Sequence, residues 1–232
     1  MEFSPEGPKA IPLWVNGRAF LTVTESFFDV VNPLSGEAVH RVPLCGAAEA
    51  AEAAGAARAA QPAWAALAPE ARQACLDALA DGLDRYTGHF VKLLRGDTGF
   101  PEAQAQDEVA AALAALRGTA VGEAGVVALV VDATRPLAGF AEAAAPILRA
   151  GGAVIVKPSP KAPAAAFALC ELSGRAAWPP GVLNLMQGDT EAIDGLCCGG
   201  IDRLVYAGNA ALGVQVGAIA DAAGKPYVML AS

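Results

Sequence analysis

The stretch Gly125–Ser159, GVVALVVDATRPLAGFAEAAAPILRAGGAVIVKPS, decides the fold. Val126–Val131 is an apolar run short enough for a buried strand. Asp132–Pro136 reads as a turn, and the Ala-rich segment after it as a helix to about Ala150. Gly151-Gly152 closes that helix, because glycine accepts the left-handed cap geometry. Ala153–Val156 is a second apolar run and ends in Lys157-Pro158-Ser159. A strand–helix–strand unit of this kind dictates a parallel sheet with a right-handed crossover.

Toward the C-terminus the pattern repeats. Val182–Met186, Arg203–Ala207 and Tyr227–Leu230 read as short apolar strands, separated by helical stretches at Pro163–Ala176, Thr190–Cys197 and Ala210–Ala223. The alternation predicts an α/β fold, a Rossmann-like open parallel sheet with helices on both faces. Ligands of such sheets gather at the carboxyl ends of the strands. Here those ends are Asp132–Arg135, Lys157–Pro160, Gln187–Asp189 and Ala207–Asn209.

Toward the N-terminus, Asn16-Gly17 between two apolar stretches predicts a two-residue β-hairpin within Leu13–Phe20. Phe28–Asn32 and Ala38–Pro43 read as strands around the turn Pro33–Gly36. Helices are expected over Ala47–Gln61, Pro69–Tyr86, His89–Arg95 and Pro101–Leu116. Proline at the first helical position and an acid beside it suit the start at Pro69-Glu70. The expected division is a disordered lead-in over 1–10 and one domain over 11–232. Within that domain, 11–118 form a hairpin and helical lobe and 125–232 the sheet.

Composition excludes several classes. Acidic residues outnumber basic ones 24 to 16, and no Lys/Arg cluster stands out, so nucleic acid and anionic membrane surfaces are not expected partners. The longest apolar runs stop short of the roughly 20 residues that span a bilayer. The first ten residues lack the basic and apolar regions of a signal peptide. The 5 cysteines, with no paired spacing, fit free thiols in a reducing compartment, which places the chain in the cytoplasm. Cys45, Cys75, Cys170, Cys197 and Cys198 read as small apolar residues or inert thiols. With only His40 and His89, and a vicinal cysteine pair, no metal site is expected. Asp132 and Arg135 are placed to form a surface ion pair. Trp14, Trp64 and Trp178 are candidates for an interface, Trp64 and Trp178 equally for helix packing.

Several stretches, in order, resemble the aldehyde dehydrogenase superfamily. Asn32–Glu37 resembles its NPxTGE turn, Ala59–Trp64 its AAxxAxxAW helix end, and Gly96–Gly99 its ETGK segment. Gly125–Val131 followed by Pro136-Leu137 resembles GVVxxIxPWNFPL, and Ala150–Ser159 resembles AGNxVVLKPS. Pro179–Val182 resembles LPPGVxN, and Tyr206–Asn209 resembles FTGS.

The resemblance implies oxidation of an aldehyde with NAD(P). That chemistry needs a thiolate nucleophile, oxyanion donors, a carboxylate base and a hydride acceptor. The matching positions are altered. Thr134 stands at the oxyanion asparagine and Leu230 at the general-base glutamate, and no cysteine falls at the nucleophile's context. The family's catalytic domain is expected to be absent, as is the oligomerisation hairpin, since the link Gly118–Gly125 is short. No catalytic residue is therefore assigned. The candidate cofactor-binding residues are Lys157, Ser159, Gly188, Gly208, Asn209 and Thr134. Pro160 replaces the ribose-binding glutamate and no GxGxxG occurs, so NAD(P) binding is expected to be weakened. The resemblance then implies a non-catalytic module that contacts another protein chain of aldehyde dehydrogenase type. The alternative is an NAD(P)-binding subunit completed by a separate catalytic chain.

Overall fold

The computed structural model describes residues 8–22, 26–176 and 178–231. The strands are β1 (Lys9–Ala10), β2 (Leu13–Val15), β3 (Arg18–Phe20), β4 (Phe27–Val31) and β5 (Ala38–Pro43) in the first part of the chain. After them come α1 (Ala47–Ala65), α2 (Pro69–Arg85), α3 (Thr87–Thr98) and α4 (Glu102–Arg117). The remainder alternates: β6 (Val126–Val131), α5 (Ala138–Arg149), β7 (Ala153–Pro158), α6 (Ala164–Arg175), β8 (Leu183–Leu185), α7 (Thr190–Cys198), β9 (Arg203–Gly208), α8 (Ala210–Ala222) and β10 (Tyr227–Ala231).

The main sheet has the order β10-β9-β6-β7-β8-β2-β3. Its first five strands are parallel, as the strand–helix alternation requires. The hairpin forms at the expected turn, with Asn16 at φ 52° and Gly17 at φ 74°, the geometry of a type I′ turn. It does not stand apart from the parallel strands. Trp14 of β2 pairs antiparallel with Leu185 of β8, so the hairpin extends the same sheet. A second, small sheet has the order β1-β5-β4. Lys9–Ala10 pairs with β5, which corrects the expected lead-in at its last residues; positions 1–7 lie outside the described residues.

The pleat of β6 explains the two cores. Val127, Leu129 and Val131 point into a cluster with Leu76, Leu83, Phe90, Phe140 and Leu148. Val126, Ala128 and Val130 point the opposite way, toward Ala50, Ala53, Ala54 and Ala57 of α1 and toward Ile193 and Val216. Successive strand residues alternate faces, so a strand buried on both faces is apolar throughout.

Helix α1 runs past its expected end, through Pro62, to Ala65. Trp64 anchors that last turn: it is fully buried, stacks on Trp178 at 5.4 Å between ring centroids, and donates its indole N–H to the Leu148 carbonyl at 2.9 Å. Trp178 donates to the Cys75 carbonyl at 2.9 Å, and Trp14 is buried edge-on to Phe167. All three tryptophans are packed inside the chain: the packing alternative holds for Trp64 and Trp178, and Trp14 is buried rather than presented at a surface.

The link 118–125 contains no strand and is tied down from outside. Arg149 donates to the Ala120 carbonyl, Gly122 N–H to Pro146, and Arg203 to Glu123 and Ala124. The five cysteines are free. Burial pushes the Cys45 thiol up to about 12 and Cys197 to about 11, and raises Cys170. Such thiols are poor nucleophiles. Among the described residues no helix is long and apolar enough to cross a membrane.

Candidate functional site

Where the crevice is expected, at the carboxyl ends of the strands, groups from the ends of β6 and β9 meet at Asp132. Its side chain is buried, and its carboxylate is held by four donors. Thr134 donates both its backbone N–H (2.8 Å) and its hydroxyl to Oδ1. The Tyr206 hydroxyl (3.1 Å) and the Asn209 backbone N–H (2.6 Å) donate to Oδ2. Burial, followed by the adjacent negative charge of Asp132, raises the Tyr206 phenol above its ordinary range. Arg135 does not pair with Asp132, contrary to expectation. Its guanidinium is bound by Glu142 at 2.7 and 2.8 Å and lies 3.7 Å from Glu108. Glu108 in turn accepts the Leu137 and Ala138 backbone N–H groups at the start of α5.

Gly208 ends β9 beneath that carboxylate. Its φ is 147°, and a Cβ there would lie 2.2–2.6 Å from the Asp132 carboxyl group. A side chain is excluded by the chain's own aspartate. Asn209 caps α8 from an exposed position, its side-chain oxygen accepting from Ala211 N–H at 2.8 Å.

A second group forms around Lys157. Its side chain is 3% exposed, and Nζ donates to the Gly188 carbonyl at 2.9 Å and the Pro158 carbonyl at 3.1 Å. Desolvation lowers its pKa to about 8. An ammonium has three N–H donors, so one is left beyond these two bonds. Gly188, at φ 125°, abuts the Cys45 backbone: a Cβ would meet the Cys45 carbonyl oxygen at 2.9 Å. Next to it Gln187 is fully buried, with Nε2 donating to the Pro12 carbonyl at 3.3 Å and Oε1 without a hydrogen-bond partner among the described residues. Ser159 accepts from the Lys161 N–H at 3.3 Å and joins neither group.

Of the residues singled out from sequence, Thr134, Gly208 and Asn209 thus gather around Asp132, and Lys157 and Gly188 join through one hydrogen bond. Gln187 was not singled out as a site residue, although it sits at a strand's carboxyl end. Asp97 was also missed. It is buried, its Oδ2 accepts the Ala164 N–H at the start of α6, and its Oδ1 has no hydrogen-bond partner among the described residues. Burial pushes its carboxyl up to about 7, and His40 lies 3.7 Å away. Leu230 is exposed on β10 opposite Ala207 and can exchange no proton. Among the described residues no three His, Cys, Asp or Glu side chains converge as a metal-binding group.

A dinucleotide fits this crevice only in part. The Lys157 end offers a donor to a hydroxyl. The Asp132 end presents a carboxylate where a phosphate would approach the start of α8.

The aldehyde dehydrogenase family model matches residues 20–123 and 121–231. The glutarate-semialdehyde dehydrogenase of Pseudomonas putida is 28% identical, over 88% of this chain and 48% of its own length. The N-succinylglutamate 5-semialdehyde dehydrogenase of Escherichia coli is 31% identical, over 88% of this chain and 45% of its own. Among solved structures, lactaldehyde dehydrogenase from Escherichia coli superposes with a TM-score of 0.89 over 96% of this chain and 52% of that chain, at 23% identity, a likeness of fold. The indole-3-acetaldehyde dehydrogenase of P. syringae, solved in complex with NAD+, gives 0.87 over 95% of this chain and 50% of that one, at 25% identity. The chain therefore spans about half the length of the relatives it matches. With the family model matching nearly all of it, the chain belongs to the aldehyde dehydrogenase family.

Proposed function

We propose that this chain is a non-catalytic aldehyde dehydrogenase-type module that acts through contact with another protein chain, an aldehyde dehydrogenase-type enzyme. The supporting observation is the free edge of the main sheet. Val228, Met229 and Leu230 of β10 are 44%, 40% and 44% exposed, and Leu212 and Val214 of the neighbouring α8 are 47% and 67% exposed. β10 pairs with β9 on one side, and among the described residues its other side is the edge of the sheet. Edge strands that face water alone are normally protected by charge, proline or a bulge, and Tyr227–Ala231 has neither charge nor proline. Exposed apolar surface of this kind marks contact sites. The chemistry agrees: Leu230 and Thr134 stand where the family places a base and an oxyanion donor, and the buried thiols are held protonated.

The test is tagged purification from the native cells with mass spectrometry, followed by sedimentation of the recombinant chain. A stoichiometric aldehyde dehydrogenase-type partner supports the proposal. A well-behaved monomer recovered alone ends it. Lys157, with its remaining N–H, favours a second reading, an NAD(P)-binding subunit completed by a catalytic chain. Calorimetry showing no binding at millimolar cofactor removes that reading. The free thiols support a cytoplasmic location under both.

A further inference from the structure

The amino end of α8, a helix of 13 residues, carries the partial positive charge that makes such ends seats for anions. In this chain the seat already has an occupant. Asp132 Oδ2 takes the Asn209 N–H at 2.6 Å, and the Asn209 side chain takes the Ala211 N–H at 2.8 Å. The carboxylate also fills the space above Gly208, within 2.2–2.6 Å of where a Cβ would stand. Its donors Thr134, Tyr206 and Asn209 are neutral, so they orient the charge without cancelling it. Arg135, the cation nearest in sequence, is turned to Glu142 and Glu108.

We propose that Asp132 is a specificity-determining residue of the crevice: its carboxylate occupies the anion seat at the start of α8 and excludes phosphate-bearing nucleotides. Exclusion has two parts. An incoming phosphate finds the Asn209 and Ala211 N–H donors taken and the space above Gly208 filled, and it meets a like charge at the exposed start of α8. The inference stands apart from the partner-contact proposal, since it concerns the strand ends and not the β10 edge.

Calorimetry with NAD and with inorganic pyrophosphate tests it on the wild-type chain, Asp132→Asn and Asp132→Gly. Asn removes the charge at constant shape; Gly removes the volume as well. The expected result is binding of both probes at least tenfold tighter in one or both variants than in the wild type. For Asn, raising the salt concentration narrows the gap, because screening weakens the repulsion that the wild type retains. Adenosine, which carries no phosphate, binds all three proteins alike. Circular dichroism and thermal melts establish that the variants are folded; Asn, being isosteric, keeps the test available if Gly is not. Gains below tenfold in both variants, including no binding by any of the three proteins, overturn the inference. A gain of the same size for adenosine overturns it too. Neither outcome bears on whether a partner covers β10, which co-purification reads separately.

Discussion

The Cβ that Gly208 lacks would sit 2.2 Å from the Asp132 Cγ. The end of β9 and the turn after β6 are thus fitted to each other: the glycine is required by the aspartate. Gly208→Ala must either push the carboxylate off its four donors or move the backbone, which already holds φ at 147°. A loss of about 2–3 kcal/mol is expected, the range for overpacking and backbone strain combined. Urea denaturation measures it. Placing the same substitution in an Asp132→Gly background removes the clash, and the cost falls by at least about 1 kcal/mol, a coupling typical of residues in contact. Equal costs in the two backgrounds contradict the relationship.

Lys157 links the crevice to stability at alkaline pH. Its folded pKa, about 8, lies below the ordinary 10.5, so between those values the unfolded chain binds more protons than the native one. Stability therefore rises as pH climbs from about 8 to 10.5 and is insensitive to this group below 8. Lys157→Met removes that contribution. The difference between wild-type and Lys157→Met denaturation midpoints, taken at steps across the window, isolates it from the tyrosines that titrate nearby.

Much of this arrangement is legible in the sequence, because local pattern carries it. Val126–Val131 is recovered residue for residue, and Asn16-Gly17 makes the turn its φ preferences demand. What the pattern lacks is distance in the chain. Trp14 meets Leu185, and Asp132 meets Tyr206 and Asn209, across separations that no spacing rule encodes. The reading of Asp132 as Arg135's partner follows from sequence neighbours, and that of Gly208 as a cofactor glycine from the family resemblance. The folded chain gives the carboxylate four donors in place of Arg135, and sets that carboxylate against Gly208. The same limit hid Asp97, whose buried oxygen is defined by the start of α6.

Asp97 gives the opposite pH signature. Its carboxyl is pushed up to about 7 from 3.8 by burial, so between those values the native chain binds more protons than the unfolded one. Stability attributable to Asp97 is greatest below about 4 and declines as pH rises to 7. Asp97→Asn keeps an acceptor for the Ala164 N–H and has no charge to desolvate. Relative to wild type, the variant gains stability progressively from pH 4 to 7 and holds that gain above. His40, whose pKa burial lowers, lies 3.7 Å from Asp97 and couples to its charge, so both proteins are compared in a His40→Gln background. A difference curve that is flat over this range refutes the assignment.

The β10 edge yields the sharpest separation between folding and contact. Val228 and Leu230 are each 44% exposed, so replacing either by lysine leaves much of the side chain in water. Fold stability is expected to change by no more than about 0.5 kcal/mol, the usual range for surface substitutions. A partner that covers the edge responds differently. It would have to bury an unpaired ammonium, whose desolvation is costly and which edge strands use as a guard against pairing. Co-purification with the partner should fall at least tenfold in Val228→Lys and Leu230→Lys, with melting temperatures near wild type. A lysine at exposed Val121, remote in sequence from β10, serves as control and should leave co-purification unchanged. If the edge variants melt normally and still retain the partner, contact through β10 is refuted, and the apolar surface there has another explanation.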